Sequence, residues 1–236
     1  AVKSRFQPVV ELEGGEVLGC EARCELDKPP WQSRYLESML DNTECCLTER
    51  IFQQHRLFSV EQADGLEERM HLFLNVRVSE VGAESLLESL LQLSDASARG
   101  HQLVVQIPET AVCDIPYFRE FIQRLREQGV QIAYADFRGS PAQIAGWHAV
   151  APDFLKLSPS LVRGISRAGD GGQTLRGLIE AIREIGSVSI ATGVDSGPDA
   201  RCLAELGCQY GQGECFGVGQ RINGLSNAQV AAASTG

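Results

Sequence analysis

No Cys-x-x-Cys pair occurs in this chain, no lysines and arginines cluster, and no apolar run approaches the length of a membrane span. Each absence excludes something. Without a Cys-x-x-Cys pair, the eight scattered cysteines (Cys20, Cys24, Cys45, Cys46, Cys113, Cys202, Cys208 and Cys215) read as buried reduced thiols of a cytoplasmic protein, not as zinc ligands or a disulfide frame. Without basic clusters, and with a formal net charge of -10, the chain lacks the phosphate-neutralising surface of a nucleic-acid-binding domain, although a few local groups could still hold a compact anion. Without a long apolar run, no membrane insertion is expected. No Pro-, Gly- or Ser-rich stretch divides the chain, so its 236 residues, 43% of them hydrophobic, are expected to form one domain spanning 1–236. The opening residues, Ala1 to Arg5, carry neither a start methionine nor a signal peptide's apolar region, and the chain is expected to be a piece of a longer intracellular protein.

What is present is an alternation of short apolar runs, rich in β-branched residues, with longer amphipathic stretches, the pattern of repeated βα units. Residues 6–12 and 16–23 read as two strands joined at Gly14-Gly15, a hairpin. Helical patterns follow over 34–40 and 48–61. Strands are expected at 71–76, 102–107, 130–135, 154–157, 188–191, 209–212 and 215–218. Helices are expected at 81–93, where Leu86, Leu87, Leu90 and Leu91 make one apolar stripe, and at 115–128, 172–185 and 198–206, with weaker periodicity over 142–150. About eight staves result, so the expected fold is α/β, a modified (β/α)8 TIM-type barrel whose first strand pairs antiparallel. A doubly wound open sheet is the alternative, weakened because no Gly-x-Gly-x-x-Gly opens a helix.

In such barrels the functional residues occupy the C-terminal strand ends. The polar residues there are Glu21, Asn75, Gln106, Asp136, Lys156, Thr192 and Gln212. The same positions carry a family resemblance. Phe6-Gln7-Pro8-Val9-Val10 resembles the opening strand of EAL domains, Tyr-Gln-Pro-Ile-Val, and the family's signature Glu-Ala-Leu stands as Glu21-Ala22-Arg23. Leu74-Asn75-Val76, Gln106-Ile107-Pro108-Glu109, Ala135-Asp136-Phe137, Phe154-Leu155-Lys156-Leu157, Thr192-Gly193-Val194-Asp195, Gln212-Gly213 and Phe216-Gly217 are similar to the remaining motifs, in family order and over nearly the whole chain.

The resemblance implies a cyclic-di-GMP phosphodiesterase that activates water with two divalent cations, Mg²⁺ or Mn²⁺. Carried over by position, Glu21, Asn75 and Asp136 remain as vestigial metal ligands, and Lys156 remains beside them. Three carboxylates are gone: Gln106, Ala135 and Thr192 stand where the family has Glu, Asp and Glu. Neutral oxygens do not replace the lost charge, so the expectation is a domain without hydrolytic activity and without a bound cofactor, acting through an unidentified protein partner or other domains of its own chain. The alternatives are a receptor that binds cyclic-di-GMP without cleaving it and a weak metal-dependent phosphodiesterase. For a receptor the candidate ligand-binding residues are Glu21, Arg23, Asn75, Asp136, Lys156 and Gln212. Glu25, where the family has a phosphate-contacting Arg, opposes that alternative. The resemblance also allows a homodimer and gives Glu109 a loop-anchoring role. His55, His71, His101 and His148 have no second ligand at helical or strand spacing, and no metal role is expected of them.

Overall fold

The computed structural model describes residues 2–26, 45–66, 68–81, 83–97, 100–113, 116–169 and 171–219. Eight strands close into a barrel in sequence order: β1 (Val2–Glu11), β2 (Val17–Leu26), β3 (His71–Asn75), β4 (Gln102–Pro108), β5 (Gln131–Phe137), β6 (Phe154–Leu157), β7 (Val188–Thr192) and β8 (Tyr210–Gln212). Closure rules out the open-sheet alternative. β1 is antiparallel to both neighbours, and all other pairs are parallel. The reason is local. A tight turn, with Gly15 N–H donating to the Glu11 carbonyl at 3.0 Å and Gly15 at φ 73°, folds β2 back on β1. Crossovers then keep every later strand parallel to β2, so β8 meets β1 head to tail.

The described helices are α1 (Cys45–Ala63), α2 (Glu84–Ala96), α3 (Pro116–Glu127), α4 (Pro141–Ala145), α5 (Pro159–Val162), α6 (Gly171–Glu184) and α7 (Gly197–Glu205). Their apolar faces follow helical spacing, as in Phe118, Phe121, Ile122 and Leu125 of α3, and pack on the outward faces of the strands. Inside the barrel, Val9, Phe73, Val104, Ala133, Phe154 and Ile190 form a separate apolar plug. No described helix is long and apolar enough to cross a membrane.

Several sequence expectations need correction. Residues 215–218 are not a strand; Glu214–Phe216 is a 3₁₀ turn. The Glu214 and Cys215 amides donate to the Asp195 carboxylate (3.3 Å) and the Val194 carbonyl (3.2 Å), so the loop after β7 satisfies them instead of a strand partner. The pattern over 142–150 splits into the short α4 and a 3₁₀ turn, His148–Val150, around Trp147, whose ring packs edge-on against Tyr134 and Phe137. In α2 the buried stripe is Leu86, Leu87, Leu90 and Leu93, with Leu91 half-buried at its edge. The short α5 was not expected, and the expected helix over 34–40 lies outside the described residues. None of the six cysteines whose side chains are described is in a disulfide, but of these only Cys20 and Cys208 are buried and Cys113 is exposed.

Candidate functional site

Strand side chains alternate, so the residue two positions beyond each plug residue forms the next layer toward the C-terminal mouth. From Phe73, Val104, Phe154 and Ile190 this step reaches Asn75, Gln106, Lys156 and Thr192; from Tyr210 it reaches Gln212. β1 runs the other way, so there the step from Val9 is backward, to Gln7. Glu21 of β2, paired in register with Phe73, completes the layer.

Four of these side chains form a closed hydrogen-bond cycle in which two arms run from Lys156, the double donor, to Glu21, the double acceptor. Lys156 Nζ donates to Gln106 Oε1 (2.5 Å), Gln106 Nε2 to Asn75 Oδ1 (2.9 Å), and Asn75 Nδ2 to Glu21 Oε1 (3.1 Å). Lys156 Nζ closes it on Glu21 Oε2 at 2.6 Å. Two further donors reach the same carboxylate, Gln212 Nε2 on Oε2 at 2.8 Å and Arg23 Nε on Oε1 at 3.3 Å. Each Glu21 oxygen thus accepts two hydrogen bonds, the full capacity of a carboxylate. Gln7 stands behind Gln212, its Oε1 3.4 Å from Gln212 Nε2. The Phe73 ring is the floor, its centroid 5.4 Å from the ammonium.

Glu21 and Lys156 are buried, at 7% and 3% exposure, so this is an ion pair in a low-dielectric layer. Burial by itself would raise the Glu21 carboxyl. The Lys156 and Arg23 charges, with the Lys156 and Asn75 hydrogen bonds, outweigh it and hold the group well below the usual carboxylate range. Burial pulls the Lys156 ammonium below the ordinary lysine value, and Glu21 opposes that pull.

The remaining candidates lie apart from the cycle. Asp136 and Ala135 together face Lys156 in a bulge of β5, and Asp136 takes φ 59°, the one positive φ outside glycine among the described residues. Its exposed carboxylate accepts from Arg138 Nη2 at 2.6 Å. Thr192 turns its hydroxyl back to the Leu157 carbonyl at 2.7 Å. Asp195 pairs with Arg163 at 3.1 Å. Glu109 accepts from the Arg138 amide (3.2 Å) and Gln143 Nε2 (2.7 Å), tying down the loop between β5 and α4. Arg23, half exposed, leans on Glu21 and is not fully solvated. Glu25 lies in β2 opposite Lys3, and its side chain lies outside the described residues.

Sequence reading missed Gln7, Arg138 and the pair Arg56 and Glu80 as supports of the mouth. Arg56 Nη1 donates to the Asn75 carbonyl at 3.2 Å from behind the layer. A signal existed: the buried stripe of α1, Phe52, His55, Arg56, Ser59, Val60 and Ala63, places three polar residues at core spacing.

The sequence model of the EAL domain matches residues 1–218. The chain belongs to the EAL domain family. It is 26% identical over 222 residues to the probable cyclic di-GMP phosphodiesterase PdeI of Escherichia coli K12, covering 89% of this chain and 28% of that protein. The fold matches the MucR phosphodiesterase solved with cyclic-di-GMP (TM-score 0.81, 18% identity, 94% of this chain and 93% of that one). It also matches Klebsiella pneumoniae BlrP1 solved as a manganese and cyclic-di-GMP complex (TM-score 0.78, 21% identity, 93% and 56%). At those identities the structures speak to fold alone.

The residues of this EAL mouth do not fit a two-cation centre. A hard divalent cation takes about six or more oxygens, several of them anionic. Here both Glu21 oxygens and Asn75 Oδ1 are engaged by donors, an ammonium lies among them, and Asp136 is turned to Arg138. Among the described residues no group of three His, Cys, Asp or Glu is placed to hold a metal ion.

Proposed function

We propose that this EAL domain is a non-hydrolysing module of cyclic-di-GMP signalling that acts in the cytoplasm through contacts with a protein partner or with other domains of its own chain. The observation that carries this reading is the saturation of Glu21 by four protein donors, one of them a buried ammonium. In-line attack on a phosphodiester needs charge compensation at the attacked phosphate and an activated water. Gln106, Ala135 and Thr192 supply no carboxylate for either task, and the two that remain are engaged internally, Glu21 by the cycle and Asp136 by Arg138.

The test is a turnover assay with cyclic-di-GMP in Mg²⁺ or Mn²⁺, following appearance of the linear dinucleotide. No product is expected. Turnover of roughly 1 per second or faster, within the ordinary enzyme range, would sink the reading and restore a metal-dependent phosphodiesterase.

One feature favours a receptor as the second reading. Gln212 Oε1 is buried with no hydrogen-bond donor among the described residues, a costly state that an incoming N–H would relieve. Calorimetric titration with cyclic-di-GMP separates the two: saturable heat without turnover selects the receptor, and no heat selects the module that works by protein contacts alone.

A further inference from the structure

We infer that the Lys156 ammonium is the resident cation of this mouth, occupying among the layer's oxygens the place a divalent ion would need, so that the domain's mouth is organised independently of metal. The inference rests on the non-hydrolysing reading, in which the closed cycle is the working state of the site. An amide at position 106 accepts from Lys156 with one end and donates to Asn75 with the other. A carboxylate there could only accept, and would set its oxygen against Asn75 Oδ1. Gln106 therefore lets one ammonium, two amides and one carboxylate satisfy one another head to tail.

Lys156 Nζ lies 2.6 Å from Glu21 Oε2 and 2.5 Å from Gln106 Oε1, in a layer where Lys156 is 3% exposed. A divalent ion seeking those same oxygens would first have to displace the ammonium or sit beside it as a like charge, with little solvent to screen the repulsion. The aromatic floor of Phe73 adds a cation-favouring surface under the same nitrogen. Every side-chain oxygen of the cycle, on Glu21, Asn75 and Gln106, already accepts from a protein donor.

The experiment reads the cation role by thermal melting of the 236-residue chain, with no dinucleotide present, so that its outcome is separate from the turnover assay. Wild type is expected to melt at the same temperature with and without Mn²⁺. Lys156→Ala strands the Glu21 carboxylate and is expected to melt about 10 °C lower, the usual scale for a broken buried pair in a domain of this size. Because it vacates a cation position flanked by Glu21 and Gln106 oxygens, its melting temperature is expected to rise saturably with Mn²⁺. Glu21→Gln/Lys156→Ala removes both charges; it should melt above Lys156→Ala and show no Mn²⁺ response. If Lys156→Ala does not fold alone, Mn²⁺-dependent folding of that variant, together with metal-insensitive folding of the double variant, supports the same assignment. A saturable Mn²⁺ rise in wild type, no Mn²⁺ response in Lys156→Ala, or a double variant no more stable than Lys156→Ala would each overturn it.

Discussion

Glu80→Ala is expected to cost the fold about 3–5 kcal/mol, the scale for removing one partner of a buried ion pair. Arg56 and Glu80 are 1% and 2% exposed. The guanidinium faces the carboxylate with two bonds, Nη2 to Oε1 at 2.8 Å and Nη1 to Oε2 at 3.2 Å, and Oε2 also accepts from the Arg77 amide at 2.9 Å. Arg56 Nε already lacks a partner among the described residues, so the guanidinium depends on Glu80 for its compensation. Alanine at 80 would leave a full positive charge in the core, and would also free the 3₁₀ turn Val78–Glu80 that leads out of the mouth. Urea denaturation measures the loss. Arg56→Met/Glu80→Leu, which removes both charges and keeps bulk, is expected to recover most of it, because desolvating an ion pair offsets much of its Coulomb gain. A loss below about 1 kcal/mol for Glu80→Ala would place the pair in solvent, where such bridges contribute little.

The staves of the barrel were legible because each carries its own signal. Apolar runs of strand length punctuated by helices at helical period, with Gly14-Gly15 reversing the first strand, require no knowledge of distant contacts. The polar layer was legible for the same reason, since strand alternation places Asn75, Gln106, Lys156 and Gln212 one step above the apolar plug. What the layer does with its hydrogen bonds was not. Lys156 and Glu21 are 135 positions apart, and only barrel closure shows that they meet at 2.6 Å. Asp136 shows the other limit. By spacing it belongs with Glu21 and Asn75, but one extra residue in β5 puts Ala135 and Asp136 together opposite Lys156, turns Phe137 outward into the packing with Trp147, and leaves the carboxylate to Arg138. A one-residue bulge leaves almost no trace in composition.

Helix α1 ties these observations together. Its inner face holds the backbone of two mouth strands from behind: Arg56 bonds the Asn75 carbonyl, and His55 bonds the Arg23 carbonyl, two residues from Glu21. The polar residues on that face, which break an otherwise apolar stripe, thus have a common explanation as supports for the layer that Glu21 and Asn75 form. His55 also faces Ser4 Oγ at 3.1 Å and Ser59 Oγ at 3.4 Å, joining α1 to β1.

That placement makes His55 a source of acid sensitivity, and stability is expected to fall by about 2 kcal/mol between pH 7.5 and 5 on its account. Burial pushes the imidazole down to about 4; the Arg23 carbonyl partly opposes the shift, and the neighbouring Arg56 charge adds to it. The ordinary value is 6.5, so between 6.5 and about 4 the unfolded chain binds a proton that the folded one refuses. Stability contributed by neutral His55 is therefore complete above pH 6.5, falls as the pH drops, and is lost by about pH 4, a full span of about 3 kcal/mol. Half-buried His71, also pulled down by burial, works in the same direction. The buried carboxylate Glu21, held low in the fold, loses its contribution only as pH falls below the ordinary carboxyl range, which leaves the interval from 7.5 to 5 to the histidines. Urea melts of wild type and His55→Gln at both pH values isolate the term: the variant is less stable at pH 7.5, for want of the packed imidazole, and its slope with pH is flatter by about 2 kcal/mol over the interval. Equal slopes in the two proteins would mean that His55 is solvated or already charged in the fold, and that α1 does not seal the rear of β2.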